Sequence, residues 1–184
     1  YYHYNPIILK IQYQMSVNSK NKGSKAEREL AKVWERWTGY KFSRTPMSGG
    51  WAKSIESFGD LTCTDPKHSH KFPFSVECKS YKGITFNDIL KGTKSDVLRF
   101  WEQASYDANR CNKIPLLFMR ENGMAKQTYF LVCDVKVGKL IVDLSKKSLD
   151  MIALSCSLGN LLVFNSNDLT AIPYNEFYKA VRKL

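Results

Sequence analysis

The chain has 184 residues, 43% hydrophobic and 24% charged, a balance that suits one compact domain burying its own core. Its 28 Lys and Arg against 17 Asp and Glu give a formal net charge of +11, which favours a polyanionic partner, nucleic acid before an anionic membrane surface. No run approaches the roughly eighteen apolar residues of a membrane span, so a soluble, cytoplasmic protein without membrane association is expected.

Met15, followed by Ser-Val-Asn-Ser, reads as a start, so residues 1–15 are expected to be an extension without function. Their only apolar patch, 6–9, is too short for a signal peptide. Residues 16–23 are polar and read as a mobile basic arm. A helix is predicted from Ser24, because Ala26, Leu30, Val33, Trp34 and Trp37 fall at helical spacing until Thr38-Gly39 stops it. Residues 40–44 fit a short strand, and 45–59 a long loop with Pro46, Gly49-Gly50 and Gly59. A short extended piece at 60–63, a turn at 64–71 and a strand at 72–80 follow.

Residues 96–109 predict a helix whose buried face is Val97, Phe100, Trp101, Ala104 and Ala108. The continuous apolar run at 114–119 predicts a buried strand. Strands are expected at 128–135 and 140–144, split near Gly138, and again at 161–164. Residues 148–158 fit helix or strand, and 173–184 a terminal helix with Pro in its first turn. This order predicts an α/β fold with a central mixed β-sheet flanked by helices.

On a strand, residues two apart share a face, so Glu77 and Lys79 project together while Cys78 points to the other side. A charged pair on a largely apolar strand needs partners, since burying charge alone is costly. Asp60, after Gly59, can supply a second carboxylate from neighbouring backbone. Two carboxylates form a hard oxygen site suited to Mg²⁺ or Mn²⁺. The plainer alternative is a surface ion pair on an edge strand. Glu27 has two readings as well: Ser24-Lys25-Ala26-Glu27 is a capping box, or Glu27 faces the sheet and joins the acids.

Residues 20–53 hold nine Lys and Arg against three Glu, interleaved with aromatics. Arg44, Thr45, Ser48 and Lys53, on a Gly-bearing loop, form a candidate phosphate clamp, or an ordinary polar loop. Lys20, Lys22 and Lys25 would add salt-dependent grip on DNA. The five cysteines, odd in number and without a C-x-x-C pair, read as reduced thiols. Cys63, His68, His70 and Cys78 match no common zinc spacing, and no zinc site is expected.

The ordered set Gly23-Ser24-Lys25-Ala26-Glu27-Arg28-Glu29-Leu30-Ala31, a Gly/Ser-rich loop with Arg44, Gly59-Asp60, Glu77-Cys78-Lys79-Ser80 and a helix bearing Trp101-Glu102-Gln103-Ala104 resembles the PD-(D/E)XK nuclease superfamily. Within it, the chain looks most like archaeal-type and phage-encoded Holliday junction resolvases. The likeness covers about residues 20–120. It implies a restriction-endonuclease-like core, a single nuclease domain over 16–184 with a C-terminal elaboration over about 124–184, and a homodimer. The implied activity is Mg²⁺-dependent hydrolysis of DNA phosphodiester bonds, with branched DNA of recombination and repair as substrate, in a phage or prokaryotic host cytoplasm. By resemblance, Asp60 and Glu77 bind the metal, Lys79 positions the attacking water, Glu27 completes the site, and Gln103 lies near it. One departure is Gly59, where the superfamily pattern carries Pro. Competing readings are a restriction-like or flap-type nuclease, and a non-catalytic DNA-binding module of the same fold. Retention of all four charged site residues disfavours the last.

Overall fold

The computed structural model describes residues 6–45, 59–81, 83 and 95–184, with backbone alone over 6–21. Helix α1 spans Pro6–Thr38. It ends where Gly39 takes a φ of +76°, a left-handed conformation that glycine adopts without a Cβ clash. The Thr38 hydroxyl donates to Trp34 O at 2.8 Å, satisfying a carbonyl of the last turn. Strands β1 (Phe42–Arg44), β2 (Leu61–Cys63) and β3 (Phe74–Tyr81) follow, with a short 3₁₀ turn at Ser69–Lys71 between the last two.

Helix α2 (Asp96–Arg110) leads to β4 (Ile114–Glu121) and β5 (Phe130–Asp134). Helix α3 (Val135–Leu144), the hairpin β6 (Met151–Cys156) and β7 (Gly159–Asn165), and the short helices α4 (Ser166–Thr170) and α5 (Tyr174–Val181) complete the chain. The strands form one seven-stranded sheet in the order β1-β2-β3-β4-β5-β7-β6. β3 and β4 run parallel over eight residue pairs, and the other pairings are antiparallel. This is the α/β architecture expected, a mixed sheet between helices. Among the described residues, no helix is long and apolar enough to cross a membrane.

The pleat divides two cores. Phe74, Val76 and Cys78 of β3, with Leu116 and Phe118 of β4, pack beneath α1, α3 and α5. Trp34 anchors that core, with the rings of Trp37, Phe42, Phe72, Phe74 and Phe118 between 5.1 and 5.9 Å from its own. Leu117 and Met119 face the opposite way and meet Val97, Phe100, Trp101 and Ala104 of α2.

Three expectations are corrected. The stretch 16–23 is helical, continuous with α1, and Ser24 begins nothing. Its Ser, Asn and Gly residues each cost under about 1 kcal/mol in a helix, and none is proline, so the helix runs through them. The capping-box reading of Glu27 falls with it, because a residue about six turns inside a helix that starts at Pro6 has no free amide to cap. Residues 140–144 belong to α3 rather than a strand. There the Asp134 side chain accepts from Lys136 N at 2.7 Å and starts the helix. Gly138 lets α3 lie close on β7, since a Cβ there would meet Leu162 Cδ1 at 2.5 Å. Residues 151–156, ambiguous by pattern, form a strand.

Candidate active site

β3 carries the alternation that builds the site. Val76 and Cys78 are buried under α1, so Glu77 and Lys79 turn toward α2. Glu77 is only 2% exposed, which makes its partners decisive. The Lys79 ammonium donates to Glu77 Oε1, and Gln103 Nε2 of α2 donates to the same oxygen at 2.9 Å. Lys79 Nζ also sits 5.6 Å from the centre of the Phe100 ring, one helical turn before Gln103.

Asp60 enters from the start of β2. Gly59 has a φ of +91°, and a Cβ at that position would lie 2.8 Å from Val76 O. Glycine is therefore required both by conformation and by the close approach to β3, which accounts for its presence before Asp60. The turn lets Asp60 N donate to Val76 O at 2.8 Å and Asp60 O accept from Thr45 N at 2.9 Å. The Asp60 carboxylate then accepts from the Cys78 amide at 2.8 Å, which fixes it beside Glu77 on the next strand. Glu27 reaches the same region from α1, where its carboxylate accepts from Arg44 Nε.

The electrostatics report an excess of buried acid. Burial first, then the Asp60 charge, pushes the Glu77 carboxyl up to about 7 against the pull of Lys79. Burial also raises Asp60, with the Cys78 amide and Lys79 drawing it back and Glu27 pushing it further. Burial alone would lower Lys79, but Glu77 and Asp60 outweigh it and hold the ammonium charged. One ammonium does not neutralise two adjoining carboxylates, Glu77 buried and Asp60 half-buried. A divalent cation with hard-oxygen preference would, and the donor set of Asp60 and Glu77 fits one. Among the described residues, no three His, Cys, Asp or Glu side chains already converge as a metal cluster. Water, phosphate oxygens or Glu27 released from Arg44 would supply the remaining ligands.

The candidate DNA contacts divide. Lys22 and Lys25 are exposed on α1. Lys20 lies on the same helix, and its side chain falls outside the described residues, as do Ser48 and Lys53 altogether. Arg44 is engaged with Glu27, and Thr45 Oγ1 lies 2.9 Å from Thr62 Oγ1. Cys63 and Cys78 are buried, while His68 pairs with Asp65 at 2.8 Å and stacks on Tyr40 at 3.8 Å. The sequence reading missed Phe100 under Lys79 and the pair of Arg120 with Glu29 that ties α1 to β4. The spacing of Phe100 and Gln103, i and i+3 on one helix, was the available signal for the first.

A family model described as "Phage putative PDDEXK endonuclease" matches residues 18–181. Protein D14 of Escherichia phage T5 is 25% identical over 143 residues, covering 75% of this chain and 89% of that protein.

Proposed function

Because the chain belongs to the phage PDDEXK endonuclease family matched over residues 18–181, we propose that it is a metal-dependent endonuclease that hydrolyses DNA phosphodiester bonds. The preferred substrate in this reading is branched DNA, cut in the manner of a Holliday junction resolvase during recombination or repair in the host cytoplasm. A homodimer would set two sites against opposed strands of a four-way junction. The observation that carries the activity is the pair of half-buried Asp60 and buried Glu77, with Lys79 on the same face of the strand.

Asp60 and Glu77 would hold Mg²⁺, or Mn²⁺ in its place, with Glu27 completing the set. Such an ion, when bound, supplies positive charge to phosphoryl oxygens and lowers the pKa of water. The Cys78 amide orients the Asp60 carboxylate, and the Gln103 amide orients that of Glu77. Lys79 holds the attacking water or stabilises charge on the phosphorane-like transition state. Phe100 keeps its ammonium at the edge of the apolar face. Lys22 and Lys25 contact phosphates without reading sequence.

Nicking of a supercoiled plasmid with and without Mg²⁺, repeated on Asp60→Ala and Glu77→Ala, tests the site. Cutting that requires Mg²⁺ and vanishes in both variants is expected. Metal-dependent cutting that survives both would overturn the assignment. Rates on a four-way junction, a flap and a linear duplex at one salt concentration test the substrate class. Equal rates on all three would remove the resolvase reading and leave a general DNA nuclease.

A further inference from the structure

A cavity of about 550 Å³ opens where β6 and β7 meet the 147–150 segment. Phe130 and Ile152 contribute apolar surface to it, while Asn165, Asn167, Asp150 and Lys147 bring polar groups. Its position in the sheet connects it to the candidate active site. Lys79 is in register with Met119, Met119 with Phe130, and Phe130 with Asn165. Register partners share a face of the pleat, so these four residues form one row on the side occupied by α2. Adjacent strands lie about 4.8 Å apart, which puts Asn165 roughly 14 Å from Lys79, about four base-pair rises of DNA. α2 packs on β3 and β4, at the active-site end of the row. Phe130 and Ile152, further along, stay partly exposed, Ile152 at 36%.

The chemistry of the cavity fits one kind of occupant. An aromatic ring beside aliphatic surface receives the flat face of a nucleobase. Asparagine amides and a carboxylate match the donors and acceptors of a base edge. Asn165 uses Oδ1 to accept from Asn167 N at 3.0 Å, so its NH₂ is the group that could donate to a ligand. Lys147 is held 2.8 Å from Asp168, and an ammonium with three donors retains capacity for a phosphate. A duplex buries its base faces in its own stack, so only an unpaired nucleotide can use such a pocket.

We propose that this cavity is a subsite for an unpaired nucleotide of the DNA substrate, stacked on Phe130 two strands beyond Lys79. The proposal rests on the DNA-nuclease reading and narrows its substrate to DNA with unpaired residues near the cut.

Full-length protein in chelator, where nothing is cut, is irradiated with a single-stranded oligonucleotide carrying 5-iodouracil, and the attached peptide is identified by mass spectrometry. Attachment at Phe130 or within residues 147–167 is expected; attachment confined to residues 22–45 and 60–81 overturns the subsite. Phe130→Leu keeps apolar volume and removes the ring. It is expected to weaken single-strand binding about tenfold, the scale of one lost base–aromatic stack, and to leave binding of a blunt duplex within about twofold. An equal loss on both, or a loss on neither, overturns the proposal. Should that variant fail to fold, the cross-link still decides. If Ile152→Glu splits a dimer in light scattering and weakens both DNA forms together, the cavity is a contact between copies instead. A wild-type chain that binds no DNA at all refutes the nuclease reading itself, whereas binding without these signatures refutes the subsite alone.

Discussion

At Glu77 the energetic and the functional arguments meet in one carboxyl. Its folded pKa of about 7 lies above its ordinary value of 4.5, so the folded state prefers the protonated form. Below the ordinary value, both folded and unfolded chains hold the proton. Between the two values the unfolded chain releases it first, and stability falls as pH rises, the full loss being reached above about 7. The shift corresponds to a loss of order 3 kcal/mol. In chelator, the melting temperature is therefore expected to drop between about pH 5 and pH 8, and Glu77→Gln to flatten that part of the curve. Added Mg²⁺ should raise the melting temperature more at the upper end, because it binds the ionised acid. A wild-type curve that overlays that of Glu77→Gln would refute the buried-acid account. Gly59 offers a second test at this scale. Gly59→Ala places a Cβ against Val76 O in a left-handed backbone, so it should destabilise by more than about 1 kcal/mol and reduce plasmid nicking as Asp60 shifts. Thermal melts that match wild type would show that the turn tolerates a side chain.

The elements show where the amino-acid pattern speaks clearly and where it does not. Continuity of α1 through 16–23 is testable at Gly23, where a Cβ would make only an ordinary 3.7 Å contact with Glu27 Oε1. In a helix interior Gly23→Ala should stabilise by about 0.5–1 kcal/mol, read as a higher melting temperature. No change would favour a flexible arm. Polarity and turn-forming residues over 16–23 suggest an arm, yet such residues weaken a helix without ending it. The strand expected at 140–144 erred for a different reason. Leu140-Ile141-Val142 is a short apolar run, which fits a buried strand as well as a helix face, and only the Asp134 cap and the close approach at Gly138 decide between them. By contrast, the acidic strand was legible. A period of two sends Glu77 and Lys79 to one side whatever the surrounding fold, and burial of Val76 and Cys78 on the other follows. What the sequence could not contain is long-range placement: Gln103 meets Glu77 across 26 residues, and Arg44 meets Glu27 across 17.

For the whole molecule, charge is the property that reaches furthest. A chain of net +11 attracts DNA at a distance before any side chain reads it, and the favourable term is release of counterions from phosphates. Each lysine that neutralises one phosphate contributes about 0.9 to the slope of log affinity against log salt. Lys22 and Lys25 are exposed on one helix, three residues apart, and so stand as neighbours on α1 within a turn and a half of Glu27. Lys22→Ala with Lys25→Ala should thus lower the slope by about 2 in chelator, weakening every DNA form by a similar factor. Asp60→Asn removes an acid rather than a phosphate contact, so in the same titrations it should hold the wild-type slope. An unchanged slope in the double lysine variant would mean that DNA approaches another surface, and the placement of the scissile phosphate over Glu77 and Lys79 would have to change with it.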